Sequence, residues 1–97
     1  MAAYVIAEIE ITDPENYKAY TQAVPATIAA YGGRFIVRGG AAEVLEGDWP
    51  AQRRVILEFP SVDAARAWWD SPEYEGPKAQ RKAASKGRLI LLEGFDG

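Results

Sequence analysis

A chain of 97 residues with a net charge of −3, 48% hydrophobic and 26% charged residues is typical of an ordered globular protein, and we predict one domain over residues 1–97. Cysteine and histidine are both absent, which excludes thiolate nucleophiles, His-based catalytic triads and the common zinc sites. We therefore predict no metal and no cofactor, and any acid–base chemistry must use Glu, Asp, Tyr, Lys or water.

The N-terminal part of the chain predicts a strand followed by a long helix. Apolar and polar residues alternate towards the end of residues 3–11, which is typical of a strand. Asp13 then suits a helix N-cap and Pro14 the first helical position, and apolar residues follow at steps of three and four. Pro25 lies inside this helix and should remove one backbone hydrogen bond, with a kink near Thr21.

The second predicted strand, residues 34–38, carries two arginines and ends at a glycine pair, Gly39 and Gly40. Alternation places Phe35 and Val37 on one face and Arg34 and Arg38 on the other. The glycines lack the Lys-Ser/Thr of a phosphate loop and the helix-opening GxGxxG of a dinucleotide loop, so we interpret them as a bulge or bend.

Residues 46–50 predict a turn and residues 53–60 a third strand. Ser61 or Asp63 should cap a short helix, the stretch 71–77 should break it, and a second helical piece is predicted from about residue 78 to 85. A last strand is predicted over residues 88–95. The order β-α-β-β-α-β indicates an α+β, ferredoxin-like fold, a four-stranded antiparallel sheet with its helices on one face.

Both faces of this predicted sheet are rich in apolar residues. One face should pack against the helices; it includes Val5, Ala7, Ile9, Phe35, Val37, Val55, Leu57, Phe59, Ile90 and Leu92. The opposite face mixes charged residues with Tyr4, Ile6, Ile36, Ile56, Leu89 and Leu91. A lone domain would expose these as one patch, so we predict a homodimer through the sheet face, with the two sheets packed as a dimeric α/β barrel.

The charges on that second face have two interpretations. They either form ion pairs between the two sheets, or they line a small cavity in which Arg38 binds an anion and Glu58 acts as a base. Arg38 and Glu58 are thus the candidate catalytic residues, although Arg38 could instead pair with Glu58 or Glu46. If the predicted register of one strand is wrong by one residue, the side chains assigned to its core-facing side lie on the opposite face of the sheet.

Aromatic residues supply further ligand-binding candidates: Trp49, Trp69 and Tyr74, beside Arg38 and Glu58. Adjacent helical residues point about 100° apart, so we expect Trp68 in the core and Trp69 at a pocket mouth or dimer cleft, with Tyr74 beside it. The alternative is that all these aromatic residues only pack the domain.

Three stretches resemble the family called domain of unknown function 1330, within the dimeric α/β-barrel superfamily: VPATIAAYGGRFIVRGG (24–40), LEGDWPAQRRVILEFPS (45–61) and AWWDSPEYEGPKAQRKAAS (67–85). The resemblance covers nearly the whole chain and implies a ferredoxin-like protomer and a homodimer, but no reaction. Related barrels include cofactor-free monooxygenases, muconolactone isomerase-like proteins and chlorite dismutase-like haem enzymes. A haem role is excluded because no histidine is present as proximal ligand.

Two hypotheses of function follow. The chain binds or transforms a small anionic or aromatic metabolite in a cofactor-free pocket, or it is a non-catalytic structural or regulatory homodimer. Nucleic acid is not expected as a partner, because the net charge is negative and the basic cluster Lys78, Arg81, Lys82, Lys86 and Arg88 suits a solvated face. No signal peptide or membrane-spanning run is visible, which predicts a cytoplasmic protein with no membrane partner.

Overall fold

The computed structural model describes residues 1–95, so the last two residues of the predicted domain lie outside the described residues. The elements are β1 (Ala3–Ile11), α1 (Pro14–Ala29), β2 (Arg34–Arg38), β3 (Arg53–Phe59), α2 (Val62–Trp69), α3 (Pro72–Ala84) and β4 (Ser85–Glu93). The four strands form one sheet in the order β2-β3-β1-β4, and every neighbouring pair is antiparallel. The predicted ferredoxin-like fold is confirmed.

Helix α1 begins where the sequence predicts. The Asp13 carboxylate accepts a hydrogen bond from the Asn16 backbone N–H at 3.3 Å, and Pro14 occupies the first turn. After the helix ends, Gly32 adopts a φ of 76°, a backbone conformation that favours glycine. These local signals position α1 over the sheet with Tyr17, Tyr20, Val24 and Ile28 buried.

Helices α2 and α3 are separated by a shorter break than predicted. Ser61 caps α2 by accepting from Ala64 N–H at 3.0 Å, and Ser71 caps α3 by accepting from Tyr74 N–H at 3.1 Å. The stretch 71–77 is therefore mostly helical, because Ser71 followed by Pro72 starts a helix instead of breaking one. None of the helices described for residues 1–95 is long and apolar enough to cross a bilayer.

Strand β4 faces the opposite way from the prediction. It begins at Ser85, and Leu89 and Leu91 lie opposite Ala7 and Val5 of β1, on the face that packs against the helices. Ile90 and Leu92 are 56% and 40% exposed on the other face. The run of four apolar residues at 89–92 has no alternation, so the pairing with β1 alone decides which residues face the core.

Strand β2 contains a bulge that the alternation pattern does not anticipate. Phe35 lies opposite Leu57, but Val37 lies opposite Ile56 and Arg38 opposite Val55, so the register shifts after Phe35. One extra residue on the bulged strand reverses the faces of everything that follows it. Val37 therefore points away from the helices and Arg38 points towards them, the reverse of the prediction for both residues.

The core lies between the sheet and the helices. Its largest fully buried side chains include Trp68, Tyr74 and Phe59, and the rings of Trp68 and Tyr74 stack at 4.1 Å between centroids. The predicted placement of Trp68 in the core is confirmed. The protomer is thin, with a shortest principal extent of 16 Å, because one sheet and one layer of helices make up its depth.

Candidate anion-binding site

A small cavity of about 30 Å³ lies between the helix-facing side of the sheet and the helices. Aromatic side chains line much of it: Tyr17 and Tyr20 from α1, Phe35 from β2 and Trp68 from α2. Three arginines also line it, and each comes from a different element: Arg38 from β2, Arg53 from β3 and Arg81 from α3. A cavity of this size has room for one or two water-sized groups, since a water needs about 10–15 Å³ of such volume.

Arg81 is the most deeply placed of these arginines, with a relative exposure of only 4%. It lies on the buried side of α3, where the other buried residues are Tyr74 and Ala84. Its Nε donates to the Tyr74 hydroxyl at 3.3 Å, and that hydroxyl lies 3.0 Å from the hydroxyl of Tyr20. The Tyr74 hydroxyl therefore holds the Nε of the guanidinium, and Tyr20 in turn holds Tyr74, which orients the charged group beside the cavity.

Arg53 occupies the first position of β3 and shares a face with Val55. Its guanidinium carbon lies 5.8 Å from the centre of the Tyr17 ring, and its Nε is buried without a hydrogen-bond partner among the described residues. Gly39 packs directly against this guanidinium, and a Cβ at that position would collide with it. Gly39 also has a φ of 67°, so the bend after β2 needs glycine both for its backbone and for the space that Arg53 fills.

Arg38 lies at the outer side of the cavity, where it is exposed. Its Nη2 donates to the backbone oxygen of Thr21 at 2.7 Å, and its guanidinium covers the Phe35 ring at 4.3 Å. Pro25 has no backbone N–H, so it leaves the oxygen of Thr21, four residues earlier, without its usual helical donor. Arg38 supplies that missing donor and joins β2 to α1.

The tyrosines of the cavity are neutral hydrogen-bonding groups at physiological pH. Burial raises the pKa of the Tyr17 hydroxyl, and the guanidinium groups of Arg53 and Arg81 oppose that rise. Burial also raises the pKa of Tyr20, and its contact with Tyr74 adds to the effect. Both phenols thus keep their protons and can donate to an anion, and neither has the lowered pKa of a general base.

The cavity is positively charged and has no acidic wall. Among residues 1–95, none of those that line it carries a carboxylate. The ion pairs found within residues 1–95 involve other arginines: Arg34 with Glu58 at 2.8 Å, and Arg54 and Arg88 with Glu8 at 3.9 and 3.2 Å. All of these pairs lie on the opposite face of the sheet, because Glu8 is registered with Arg54 and Arg88, and Glu58 with Arg34.

Glu58 lies outside this cavity. On the opposite face its carboxylate accepts from Arg34 Nε at 2.8 Å and from the Tyr4 hydroxyl at 3.3 Å. The structure therefore separates Arg38 from Glu58, and Arg38 forms an ion pair with neither Glu58 nor Glu46. The bulge in β2 is the physical reason, because it turns Arg38 to the other side of the sheet.

None of the three predicted aromatic residues lines this cavity, although Trp69 and Tyr74 lie side by side as predicted. Tyr74 is fully buried, and the Trp69 ring lies 5.9 Å from it, half-buried in an outer groove. Trp49 is 57% exposed in the loop before β3, where its indole donates to the Glu46 backbone oxygen at 3.2 Å. Of the predicted ligand-binding residues, only Arg38 lines the cavity directly.

Sequence reasoning missed Arg53 and Arg81, although both carried a signal. Arg53 alternates with Val55, Leu57 and Phe59, so the strand pattern itself places it on the helix-facing side. Arg81 is seven residues after Tyr74 and three before Ala84, which puts it on the same side of α3 as both. The interpretation of the basic cluster as a solvated face holds for Lys82, Lys86 and Arg88, but it is wrong for the buried Arg81.

The fold is that of a ferredoxin-like α+β protein, an architecture shared by several solved structures. The model of the family described as a domain of unknown function (DUF1330) matches residues 2–95, so the chain belongs to that family. No curated protein matches it.

Three solved structures illustrate the similarity. A protein of unknown function from Rhodopseudomonas palustris, RPA0582, is 23% identical with a TM-score of 0.79, covering 99% of this chain and 84% of its own. SnoaB from Streptomyces nogalater, described as a cofactor-independent oxygenase, is 15% identical with a TM-score of 0.70, at 99% and 95% coverage. A dimeric ferredoxin-like protein of unknown function from Jannaschia sp. is 14% identical with a TM-score of 0.67, at 97% and 100% coverage. At these identities the likeness establishes the fold and no reaction.

Proposed function

We propose that each protomer binds a small carboxylate in the cavity lined by Arg38, Arg53 and Arg81. The observation that carries the proposal is Arg81, which is 4% exposed and takes part in none of the ion pairs formed within residues 1–95. A buried charge without a counter-ion is costly, and removing one member of a buried pair typically costs about 3–5 kcal/mol. A bound anion would supply the missing partner.

The form of the cavity favours a carboxylate over larger anions. A guanidinium presents a planar fork of donors that matches a carboxylate, and the roughly 30 Å³ present, room for one or two water-sized groups, suits the two oxygens of a carboxylate group better than the four of a phosphate. Tyr17 and Tyr20 add neutral donors at the wall. The outer side is bounded by the exposed Arg38 and the half-buried Thr21, so the remainder of a longer ligand would extend towards solvent there.

The proposal is one of binding, because the cavity offers no general base. Its lining residues include no carboxylate, and its tyrosines have raised pKa values. Glu58, the residue predicted as a base, is engaged by Arg34 on the other face of the sheet. SnoaB is described as a cofactor-independent oxygenase, and only its fold carries over to this chain.

Ligand-induced stabilisation tests the proposal. We expect formate, acetate or benzoate to raise the unfolding temperature, whereas the matched amides formamide, acetamide and benzamide should not. A ligand at 100 times its Kd stabilises by about 2.7 kcal/mol, which corresponds to roughly 10 °C or more for a chain of this size. Arg81→Met should abolish the shift, and Arg88→Met, which removes an exposed arginine on the opposite face, should retain it.

Two results of this stabilisation experiment would contradict the proposed carboxylate site. If no carboxylate stabilises the wild type, or if Arg81→Met responds as strongly as Arg88→Met, the cavity is not an anion site. The chain would then be better described as a structural or regulatory homodimer without a ligand.

We also propose that the protein is a homodimer joined through the sheet face that lies away from the helices. That face carries an apolar band of Val37, Ile56, Ile6 and Ile90 in register across the sheet. Val37 and Ile90 are 38% and 56% exposed in the protomer, a patch that a second copy would cover. The Jannaschia protein of similar fold is described as dimeric, which supports the proposal.

A further inference from the structure

An exposed, acidic loop projects between β2 and β3, and we name residues 41–50 the acidic arm. It contains Glu43, Glu46 and Asp48 and no basic residue, and every residue in it is exposed. It also carries apolar side chains that nothing covers in the protomer: Leu45 is 91% exposed, Trp49 57% and Val44 54%. Large apolar groups held on an exposed acidic loop are typical of a segment that docks on another surface.

A groove of about 690 Å³ lies along β4, where α2 and α3 meet the sheet edge, and we name it the basic groove. Its floor is apolar, with Trp69, Leu89 and Leu91 half-buried. Its rim is basic, formed by the exposed side chains of Arg66, Lys82 and Lys86, and no acidic residue of the described part of the chain lines it. Three positive charges over an apolar floor complement the three negative charges and apolar side chains of the acidic arm.

We propose that the acidic arm of one copy docks in the basic groove of a second copy. This inference rests on the proposed homodimer and adds to it a second, reciprocal contact outside the packed sheets. In a symmetric dimer each copy would contribute one arm and one groove, so the contact would form twice.

Among residues 1–95, no residue of the arm lines the groove of its own chain. The arm leaves the sheet at the β2–β3 side, whereas the groove lies along β4, the opposite edge strand. Pro50, at the base of the arm, shares a surface depression with Lys86 and Arg88 of β4, but the acidic and apolar side chains of the arm are not part of it. The arm also folds over the sheet face away from the helices, where Arg54 lies 5.3 Å from the Trp49 ring and donates to the Pro50 backbone oxygen at 2.7 Å. The groove wraps around the edge strand β4, because Leu89 and Leu91 line it from the helix side and Lys86 and Ile90 from the opposite face.

The arm is long enough to reach a partner. Folded back on itself, a ten-residue loop extends about 16 Å, with five residues in each half at roughly 3.3 Å per residue. Two sheets packed face to face are separated by about 10 Å. The extended arm, with Leu45 and Glu46 at its tip, is therefore longer than the separation of two packed sheets.

Charge exchange tests the contact. One variant reverses the charge of the arm with Glu43→Lys, Glu46→Lys and Asp48→Lys. A second reverses the charge of the groove with Arg66→Glu, Lys82→Glu and Lys86→Glu. Each triple variant should raise the dimer dissociation constant at least tenfold at low salt. A chain that carries all six substitutions should dimerise with wild-type affinity, because its arm and groove are again opposite in charge. A mixture of the two triple variants should recover at least part of that affinity as heterodimers. High salt should shrink these differences, because the charges are exposed. No rescue in the combined variant would overturn the inference.

A cross-link provides a second readout that does not depend on affinity. The chain contains no cysteine, so Leu45→Cys and Lys82→Cys introduce unique thiols. Oxidation of a mixture of the two single variants should give a heterodimer joined by a disulfide, whereas Leu45→Cys mixed with Arg34→Cys should not. Equal yields of disulfide-linked heterodimer in both mixtures would contradict arm docking. A wild-type protein that sediments as a monomer would instead contradict the proposed homodimer.

Discussion

Arg38 and Pro25 both affect the same backbone oxygen, that of Thr21. Pro25 removes the donor that would satisfy the Thr21 backbone oxygen, and the Arg38 guanidinium occupies that oxygen at 2.7 Å. The same bond holds Arg38 at the edge of the cavity. One residue thus fastens β2 to α1 and places a positive charge where an anion would enter.

A double-mutant cycle tests this pairing. Arg38→Ala should lower the free energy of unfolding by about 1 kcal/mol, the typical net value of one hydrogen bond. In a Pro25→Ala background the loss should be clearly smaller, because the substituted alanine supplies the backbone N–H that the Thr21 oxygen lacks. Urea unfolding of the four proteins at one protein concentration gives the values. Arg34→Ala, on the other face, serves as control, and equal losses for Arg38→Ala in both backgrounds would contradict the pairing.

The strand elements organise the sheet face away from the helices into bands. Arg54, Glu8 and Arg88 form a charged row across β3, β1 and β4, and Ile56, Ile6 and Ile90 form the apolar row beside it. Glu58, Tyr4 and Leu92 form the next row. An apolar band between polar rows can pack against its own copy while the charges pair at the margins.

Ile56→Lys should dissociate the proposed dimer. Ile56 lies in the middle of the apolar band, and two-fold symmetry would bury two unpaired ammonium groups in each dimer. Sedimentation at micromolar concentration should give the mass of one chain for Ile56→Lys and of two chains for both the wild type and the control Ile56→Val. A wild-type mass of one chain, or an unchanged mass for Ile56→Lys, would contradict sheet-to-sheet packing.

The same elements show what the sequence can predict. Strands β1 and β3 alternate cleanly, so their buried residues and even the orientation of Arg53 follow from the period of two. Strand β4 has four consecutive apolar residues, and its orientation depends on pairing with β1. The bulge that turns Arg38 inward is a backbone irregularity without a local pattern, so the position of Arg38 in the cavity wall could not be predicted from the sequence.

At the scale of the whole molecule, the two sides of the sheet have separate roles in this account. The helix side encloses a positively charged cavity, and the opposite side carries the apolar band and the ion pairs. Of the charges predicted on the second face, Glu58 pairs with Arg34 and Glu8 with Arg54, so these are not available to a ligand. Substitutions in the apolar band should therefore alter assembly without changing the residues that line the cavity.

If the buried guanidinium of Arg81 binds an anion, anomalous diffraction from crystals grown in bromide should locate that anion. Bromide is small enough for a cavity of about 30 Å³ and is located without ambiguity by its anomalous signal. We predict a bromide peak within hydrogen-bonding distance of Arg81 and Arg53 in the wild type, displaced by acetate and absent in Arg81→Met. An empty cavity in the wild type, with bromide only on surface lysines, would contradict the account.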